Sequence, residues 1–203
     1  LPIYIGITLF AGETFTQCPL TVDHAVLLDM IHNIKCGLIT DGTAVGMGIA
    51  NAVTRLKDSK AKSKVIILLT DGTNNKGDIS PMTAAEIAKS FGIRVYTIGV
   101  GTNGMAPYPY PVGNTVQYVS MPVEIDEKTL TEIAGTTDGN YFRATSNSKL
   151  KEVYEEIDKL EKTKLNVKEY SKRDEEYHWF ALAAFLCVLL EVLLRNSVLK
   201  KIP

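Results

Sequence analysis

Two short, almost entirely apolar runs constrain the fold of this chain more than any other feature. They cover Lys64 to Thr70 and Ile93 to Val100, and both are rich in β-branched residues. A strand that is apolar at successive positions has to be buried on both faces, which is typical of a central strand in a parallel sheet. We therefore expect a sheet that is covered by helices on both sides.

Helical and strand-like segments alternate along the chain, which favours an α/β fold with a doubly wound, mostly parallel sheet. Further strands are predicted at Ile3 to Phe10 and at Gly139 to Arg143. Helices are predicted over residues 23–34, 44–59, 80–92 and 126–139. An amphipathic helix that begins at Asn147 is expected to close the domain.

Composition excludes some classes of function. The 203 residues include 22 basic and 23 acidic side chains, so no overall positive field recommends a nucleic acid as partner. Cys18, Cys36 and Cys187 are too few and too irregularly spaced for a disulfide framework or a zinc knuckle, and three unpaired thiols are the simpler interpretation.

Two loops with the letters Thr-Asp-Gly-Thr are candidates for a functional site. The second follows the apolar run at Lys64 to Thr70 and places Asp71 directly after a strand, while the first leads through Thr43 into a predicted helix. Ligands of doubly wound sheets bind beyond the carboxyl ends of the strands. Taken singly, Asp71 is explained by a turn and Thr43 by a helix cap. Together, a hydroxyl and a carboxylate at one crevice suit Mg²⁺.

Four segments carry a resemblance to a known family. They read "FAGETFTQCPLTVDHAVL", "DGTAVGMGIANAVTRLKDSKAKSKVIILLTDGTNN", "TAAEIAKSFGIRVYTIGVGTNG" and "YFRATSNSKLKEVYEEIDKLEKT". The chain resembles a von Willebrand factor A (VWA) domain of the bacterial aerotolerance (Bat) proteins, most closely the BatA type. The resemblance implies a Rossmann-like sheet over residues 1–164.

The same resemblance implies a metal-ion-dependent adhesion site at the top of the sheet. In the family this site combines an Asp-x-Ser-x-Ser loop with a threonine and a second aspartate, which Thr43 and Asp71 match. The loop itself has no counterpart in these residues, so the chain is expected to lack the family's first strand and to hold half a site. Mg²⁺ or another divalent cation is implied for the complete domain, and binding by this chain is expected to be weak or absent.

A dinucleotide-binding enzyme is the alternative from another class. Gly99, Gly101 and Gly104 satisfy the G-x-G-x-x-G pattern after a predicted strand. A functional fingerprint opens a helix, whereas prolines at positions 107, 109 and 111 follow here. No other catalytic motif is present, so the chain is expected not to be an enzyme.

The residues from Met105 to Pro122 are interpreted as a long loop. Tyr108 and Tyr110 are candidates for contact with a protein partner, and a surface hairpin is an equally good alternative.

The C-terminal part is predicted to form a membrane anchor. A charged linker at 165–176 precedes a predicted transmembrane helix at 177–199, the single membrane span of this chain, and a short basic tail at 200–203. Trp179 to Leu190 is an unbroken apolar run, with aromatic residues at one end and basic residues at the other. The resemblance implies an inner-membrane protein with a periplasmic VWA domain. It also implies other Bat-type VWA proteins and a MoxR-type AAA ATPase as partners.

Overall fold

The computed structural model describes residues 3–35, 37–101, 104–112, 115–123, 125–171 and 177–197. Within these residues the strands are β1 Ile5–Phe10, β2 Thr14–Thr21, β3 Lys64–Thr70, β4 Ile93–Val100, β5 Gly104–Val112, β6 Thr115–Val123 and β7 Tyr141–Ala144. The helices are α1 His24–His32, α2 Val45–Leu56, α3 Pro81–Ser90, α4 Glu127–Thr136, α5 Asn147–Ser171 and α6 Tyr177–Ser197. The chain divides into two compact units, Leu1–Glu161 and Lys162–Pro203.

The centre of the first unit is a parallel sheet with the strand order β3-β4-β7. β3 and β4 pair from Lys64 opposite Ile93 to Thr70 opposite Gly99. Both strands have the bounds that the apolar runs predict. β4 is buried along nearly its whole length, because it has a strand on each side and helices on each face.

Helices cover both faces of this sheet, as the alternating pattern predicts. Residues of α2, α3 and α4 pack on one face, where Ile66, Leu68, Ile93 and Val95 belong to the core. On the other face α5 contributes Val153 and Ile157, which pack with Tyr96 and Ile98. The apolar side chains of one strand alternate between these two cores, as the period of two requires.

The sheet is smaller than predicted, and β3 lies at its edge. In the described part of the chain, β1 pairs with β2 in a separate antiparallel sheet, and β3 pairs with β4 alone. β2 has no counterpart among the strands predicted from the sequence. Its apolar residues are interrupted by Gln17 and Pro19, and Cys18 is its one fully buried side chain, so no continuous run marks it.

The prediction of a long loop from Met105 to Pro122 is wrong, and the alternative, a surface hairpin, is confirmed. β5 and β6 form an antiparallel hairpin in which Gly104 is opposite Val123 and Val112 is opposite Thr115. Gly and Asn stand between the two strands in the sequence, and this is a hairpin signal that the prolines of β5 outweighed.

The apolar C-terminal segment forms a helix, but the structure does not support a membrane span. Among the described residues, no helix is long and apolar enough to cross a bilayer. The unbroken apolar run of α6 ends at Leu190, before Glu191, whereas a span requires about 20 mostly apolar residues. α5 continues to Ser171, into the segment predicted as a linker, and residues 172–176 lie outside the described residues.

A polar cluster ties α5 to the sheet. Arg94 Nε donates to Glu161 Oε1 at 2.9 Å, and Tyr96 Oη donates to the same oxygen at 2.6 Å. Ser63 Oγ donates to Glu161 Oε2 at 2.7 Å. The carboxylate near the end of α5 therefore connects two residues of β4 with the residue before β3.

The pKa values in this cluster follow from its hydrogen bonds. Burial opposes the charge on Glu161, but the hydrogen bonds from Arg94, Tyr96 and Ser63 outweigh it and lower the pKa of this carboxyl. Burial, together with the hydrogen bond to Glu161, raises the pKa of the Tyr96 phenol. The hydrogen bond to Glu161 raises the pKa of Arg94, so the cluster is a stable ion pair near neutral pH.

Replacing Glu161 by glutamine is expected to destabilise the first unit by about 1–3 kcal/mol at pH 7, because Arg94 loses its charged partner. Since the folded-state pKa of Glu161 is lowered, its contribution is present above the ordinary value and lost as the pH falls through the folded-state value. The difference from the native chain should therefore shrink below about pH 4. Urea unfolding measured across this pH range tests it.

Glu156→Gln is the matched control, because Glu156 is an exposed carboxylate on the same helix. Equal losses of stability for the two variants at pH 7 would show that the cluster does not hold α5 on the sheet.

Candidate functional site

The candidate site lies at the carboxyl end of β3. Asp71 follows the last residue of that strand, and Thr43 stands two residues before the start of α2. Ligands of α/β sheets bind at this end of the strands. Three loops meet here, namely the turn between β1 and β2, residues 40–44, and residues 71–79.

Two asparagines join the second and third of these loops. Asn75 Oδ1 accepts a hydrogen bond from the amide of Thr43 at 2.9 Å, and the amide of Asn75 donates to the carbonyl of Thr43 at 3.0 Å. Asn74 Oδ1 accepts from the amide of Val45 at 2.8 Å. Asn74 and Asn75, on the loop that follows Asp71, therefore hold the backbone on both sides of the Thr43 side chain through hydrogen bonds.

Thr43 does not cap α2. The N-cap is Ala44, whose side chain cannot accept a hydrogen bond, and Asn74 satisfies the first helical amide in its place. The Thr43 hydroxyl is directed to the other loop, because a Cβ on Gly72 would lie 3.4 Å from Thr43 Oγ1. The structure thus brings the hydroxyl of Thr43 beside Gly72, the residue that follows Asp71.

Asp71 is exposed, and its carboxylate accepts no hydrogen bond within the described part of the chain. In the sequence, the nearest donors for this carboxylate are the amides of the turn that follows it. Instead, the amide of Gly72 donates to Thr70 Oγ1 at 3.3 Å. Water hydrates an exposed carboxylate at little cost, so Asp71 needs no protein donor.

The turn between β1 and β2 closes on the same place. The amide of Gly12 donates to the carbonyl of Thr40 at 2.7 Å, and the amide of Ala44 donates to the carbonyl of Ala11 at 2.7 Å. A Cβ at Gly12 would lie 2.6 Å from the carbonyl oxygen of Asp41, so this approach requires glycine. The Thr43 loop is consequently braced from two sides.

The protein ligands at this place are few. Among the described residues, no group of three or more His, Cys, Asp or Glu side chains could hold a metal ion. Thr43 and Asp71 supply one hydroxyl and one carboxylate. These hard oxygen donors fit Mg²⁺ in kind but not in number, because Mg²⁺ requires six ligands and keeps several of them as water.

The glycines of the alternative site serve the local backbone and its packing. Gly104 begins β5, so a strand rather than a helix follows the third glycine. A Cβ at Gly99 would lie 2.9 Å from Tyr141 Oη, which means that this glycine makes room for a neighbouring side chain. β5 and β6 separate the third glycine from the next described helix, α4, so no helix N-terminus faces a pyrophosphate here and a dinucleotide site is not favoured.

The two tyrosines predicted to contact a partner both lie on β5. Tyr110 is 59% exposed and pairs with Gln117 across the hairpin, whereas Tyr108 pairs with Val119. The side chain of Tyr108 lies outside the described residues. Their role as a contact surface stays a prediction.

Sequence reasoning missed the two residues that organise the site. Asn74 and Asn75 carry the hydrogen bonds between the loops, although they read only as turn residues. The one signal in the sequence is that asparagine side chains bond to nearby backbone groups. That signal does not identify which backbone, because Thr43 is 32 residues away from Asn75 in the sequence.

Comparison with known proteins supports the same fold. The von Willebrand factor type A domain matches residues 2–156. The chain is similar to the solved structure of the conserved hypothetical protein BatB from Bacteroides thetaiotaomicron, with 34% identity and a TM-score of 0.67, covering 78% of this chain and 80% of that one. An aerotolerance-related membrane protein from Bacteroides fragilis is 30% identical, with a TM-score of 0.64 and coverage of 77% and 79%.

A more distant likeness involves a metal site. Proximal thread matrix protein 1 from the mussel byssus, solved with a zinc-occupied MIDAS motif, is 27% identical, with a TM-score of 0.57 and coverage of 76% of this chain and 34% of that one. The chain spans 58% and 50% of the length of the first two curated relatives that it matches.

The domain match covers most of the chain, and the two bacterial structures are similar to it in both sequence and fold. From this agreement we conclude that the chain belongs to the von Willebrand factor type A domain family.

Proposed function

We propose that this chain is a protein-interaction module of the Bat type, which binds its partner through a divalent cation at the Thr43 and Asp71 site. An acidic side chain of the partner would complete the coordination of the ion. The observation that carries the proposal is the position of two uncommitted oxygen ligands on loops that hold each other. Within the described residues, neither side chain is used to cap a helix or a turn.

The rigidity of the loops supports a binding role. Hydrogen bonds from Asn74 and Asn75 fix the backbone around Thr43 before any ligand arrives. A preorganised site loses less free energy to ordering when it binds. The named zinc site of the mussel protein supports the choice of a metal, since that protein shares this fold.

Among the described residues, β1 and β3 each have one edge without a paired strand, and these two edges support a further source of metal ligands. β3 has apolar side chains in both cores and yet, among the described residues, has a strand on one side only. β1 is likewise paired on one side, and α2 packs on both β1 and β3. A strand between them would pair with the backbone groups at both edges. We propose that polypeptide preceding Leu1 supplies this strand and, after it, the missing Asp-x-Ser-x-Ser loop.

The partners belong to the proposal as well. We propose other Bat-type VWA proteins and a MoxR-type AAA ATPase as partners, and place the VWA domain on the periplasmic side of the inner membrane. The choice of the BatA type within the Bat proteins is a prediction. An interaction module needs no catalytic group, and we propose no enzymatic activity for it.

Membrane association is the last part of the proposal, and α6 is its basis. The large apolar side chains described on this helix are exposed, and they include Phe180, Phe185, Leu186, Leu190 and Leu194. A helix that exposes apolar groups in this density is stabilised by a lipid environment. The description of the Bacteroides fragilis relative as a membrane protein supports this assignment.

We expect a version extended upstream of Leu1 to be stabilised by Mg²⁺, whereas the present chain responds little. For a dissociation constant of about 1 mM, 10 mM Mg²⁺ adds about 1.4 kcal/mol. Thr43→Val and Asp71→Asn should each remove most of this gain, since they remove a ligand oxygen or its charge. Thermal unfolding with and without the ion measures the effect.

Asp78→Asn is the control, because Asp78 is exposed on the same loop but is not proposed as a ligand. An extended protein that ignores Mg²⁺, or an Asp78→Asn variant as impaired as Asp71→Asn, contradicts the adhesion site.

Asp71→Asn in the present chain is expected to change the free energy of unfolding by less than about 0.5 kcal/mol, since Asp71 is exposed and unbonded within the described residues. In the extended protein the same change should weaken partner binding. A large loss of stability in the present chain would show that Asp71 serves the fold.

Membrane association is expected to depend on the apolar surface of α6. The full chain should float with lipid vesicles, and Leu186→Glu together with Leu190→Glu should abolish flotation, because buried charges are costly in lipid. The matched pair of alanine substitutions keeps the surface uncharged and should reduce flotation only partly. Flotation that survives the two glutamates would rule out α6 as the anchor.

A further inference from the structure

The hairpin of β5 and β6 is the part of the first unit that the proposed function leaves unexplained. Within the described residues, its two strands pair with each other and with no further strand. The side chains that the structure describes on this hairpin are exposed, and Tyr118 is 72% exposed. A two-stranded sheet on its own is marginally stable in water, so a further partner would stabilise it.

Prolines close one edge of this hairpin. Pro107, Pro109 and Pro111 occupy alternate positions of β5, opposite Ser120, Tyr118 and Val116. In an antiparallel pair, opposite residues either exchange hydrogen bonds or direct their backbone groups outward. Proline has no N–H, so these pairs must be of the second kind. The outer edge of β5 therefore lacks donors at three consecutive outward positions.

The same register leaves backbone donors available at the outer edge of β6. The residues opposite the three prolines direct their backbone groups away from β5, so the outer edge of β6 offers the amides of Val116, Tyr118 and Ser120. An edge of this kind is a template for another strand. Position 122 is again a proline, which ends the row of donors.

We propose that β6 is a dimerisation edge, at which β6 of a second copy of this chain adds antiparallel to form a four-stranded sheet. With the two-fold axis at Tyr118, the Tyr118 amides of both copies donate to each other's carbonyls. Val116 and Ser120 of one copy exchange hydrogen bonds with Ser120 and Val116 of the second copy. All three donors of the edge are then used.

Charge and symmetry favour a second copy over an unrelated strand. Residues 104–123 contain no Asp, Glu, Lys or Arg, so two identical hairpins meet without like-charge repulsion. The donors are spaced evenly about Tyr118, which makes the edge complementary to itself under a two-fold rotation. The two Tyr118 side chains also become direct cross-strand neighbours, a favourable aromatic pair. This inference does not depend on the metal site.

Cysteine cross-linking of the full chain in mild detergent tests the register. Opposite residues that exchange hydrogen bonds have Cα atoms about 5.5 Å apart, within disulfide range. In a background with Cys36→Ser and Cys187→Ser, Tyr118→Cys should form a disulfide dimer on oxidation. Val116→Cys or Ser120→Cys alone should not, but a mixture of these two should cross-link. Equal yields at all positions, or none at Tyr118→Cys, would overturn the proposal.

A second measurement distinguishes the backbone hydrogen bonds of the β6 edge from contacts of the Tyr118 side chain, and from any association through α6. Tyr118→Pro removes the outward amide as the native prolines of β5 do, whereas Tyr118→Thr keeps it. By sedimentation, the proline variant should dimerise at least about tenfold more weakly than the threonine variant. Equal dimerisation of the two variants, or a native chain that stays monomeric or pairs with a different protein's strand at this edge, would refute it.

Discussion

The burial of β4 between two strands and two layers of helices is the constraint on which the rest of the structure depends. Only apolar side chains and satisfied polar groups are tolerated there, and β4 is nearly apolar throughout. Its parallel pairing with β3 brings the carboxyl ends of both strands to the same edge. The candidate site lies at that end of the sheet because the loop that follows β3 begins there.

Polar groups inside this core are used to attach helices. β7 begins opposite Thr97, so the earlier part of β4 lacks a strand on that side and Thr137 Oγ1 accepts a hydrogen bond from the amide of Val95 at 3.0 Å. Thr97 Oγ1 donates to the carbonyl of Leu130 at 2.8 Å. These bonds attach α4, while Glu161 attaches α5 at the opposite face. Each buried polar atom thus specifies a position that apolar packing alone would leave adjustable.

The parts outside this core have the opposite character. The hairpin and α6 expose large apolar side chains and contain few charges, whereas the helices on the sheet present charged residues to water. Exposed apolar surfaces of this size commonly mark sites of contact with a partner or a membrane. The core supplies the frame, and the proposed contacts with partners and lipid all lie on the site loops, the hairpin edge and α6.

The sequence by itself determined those elements whose burial is evident from the apolar character of their own residues. Continuous apolar runs specified β3 and β4, and the positions of Asp71 and Thr43 beside predicted element ends indicated a site at the carboxyl edge. Tertiary structure alone decided that β3 is an edge strand among the described residues, that β2 pairs with β1, and that Asn74 and Asn75 hold Thr43. The physical reason is that pairing and long-range hydrogen bonds depend on residues far apart in the chain, whereas burial on both faces leaves a mark on every residue of a strand.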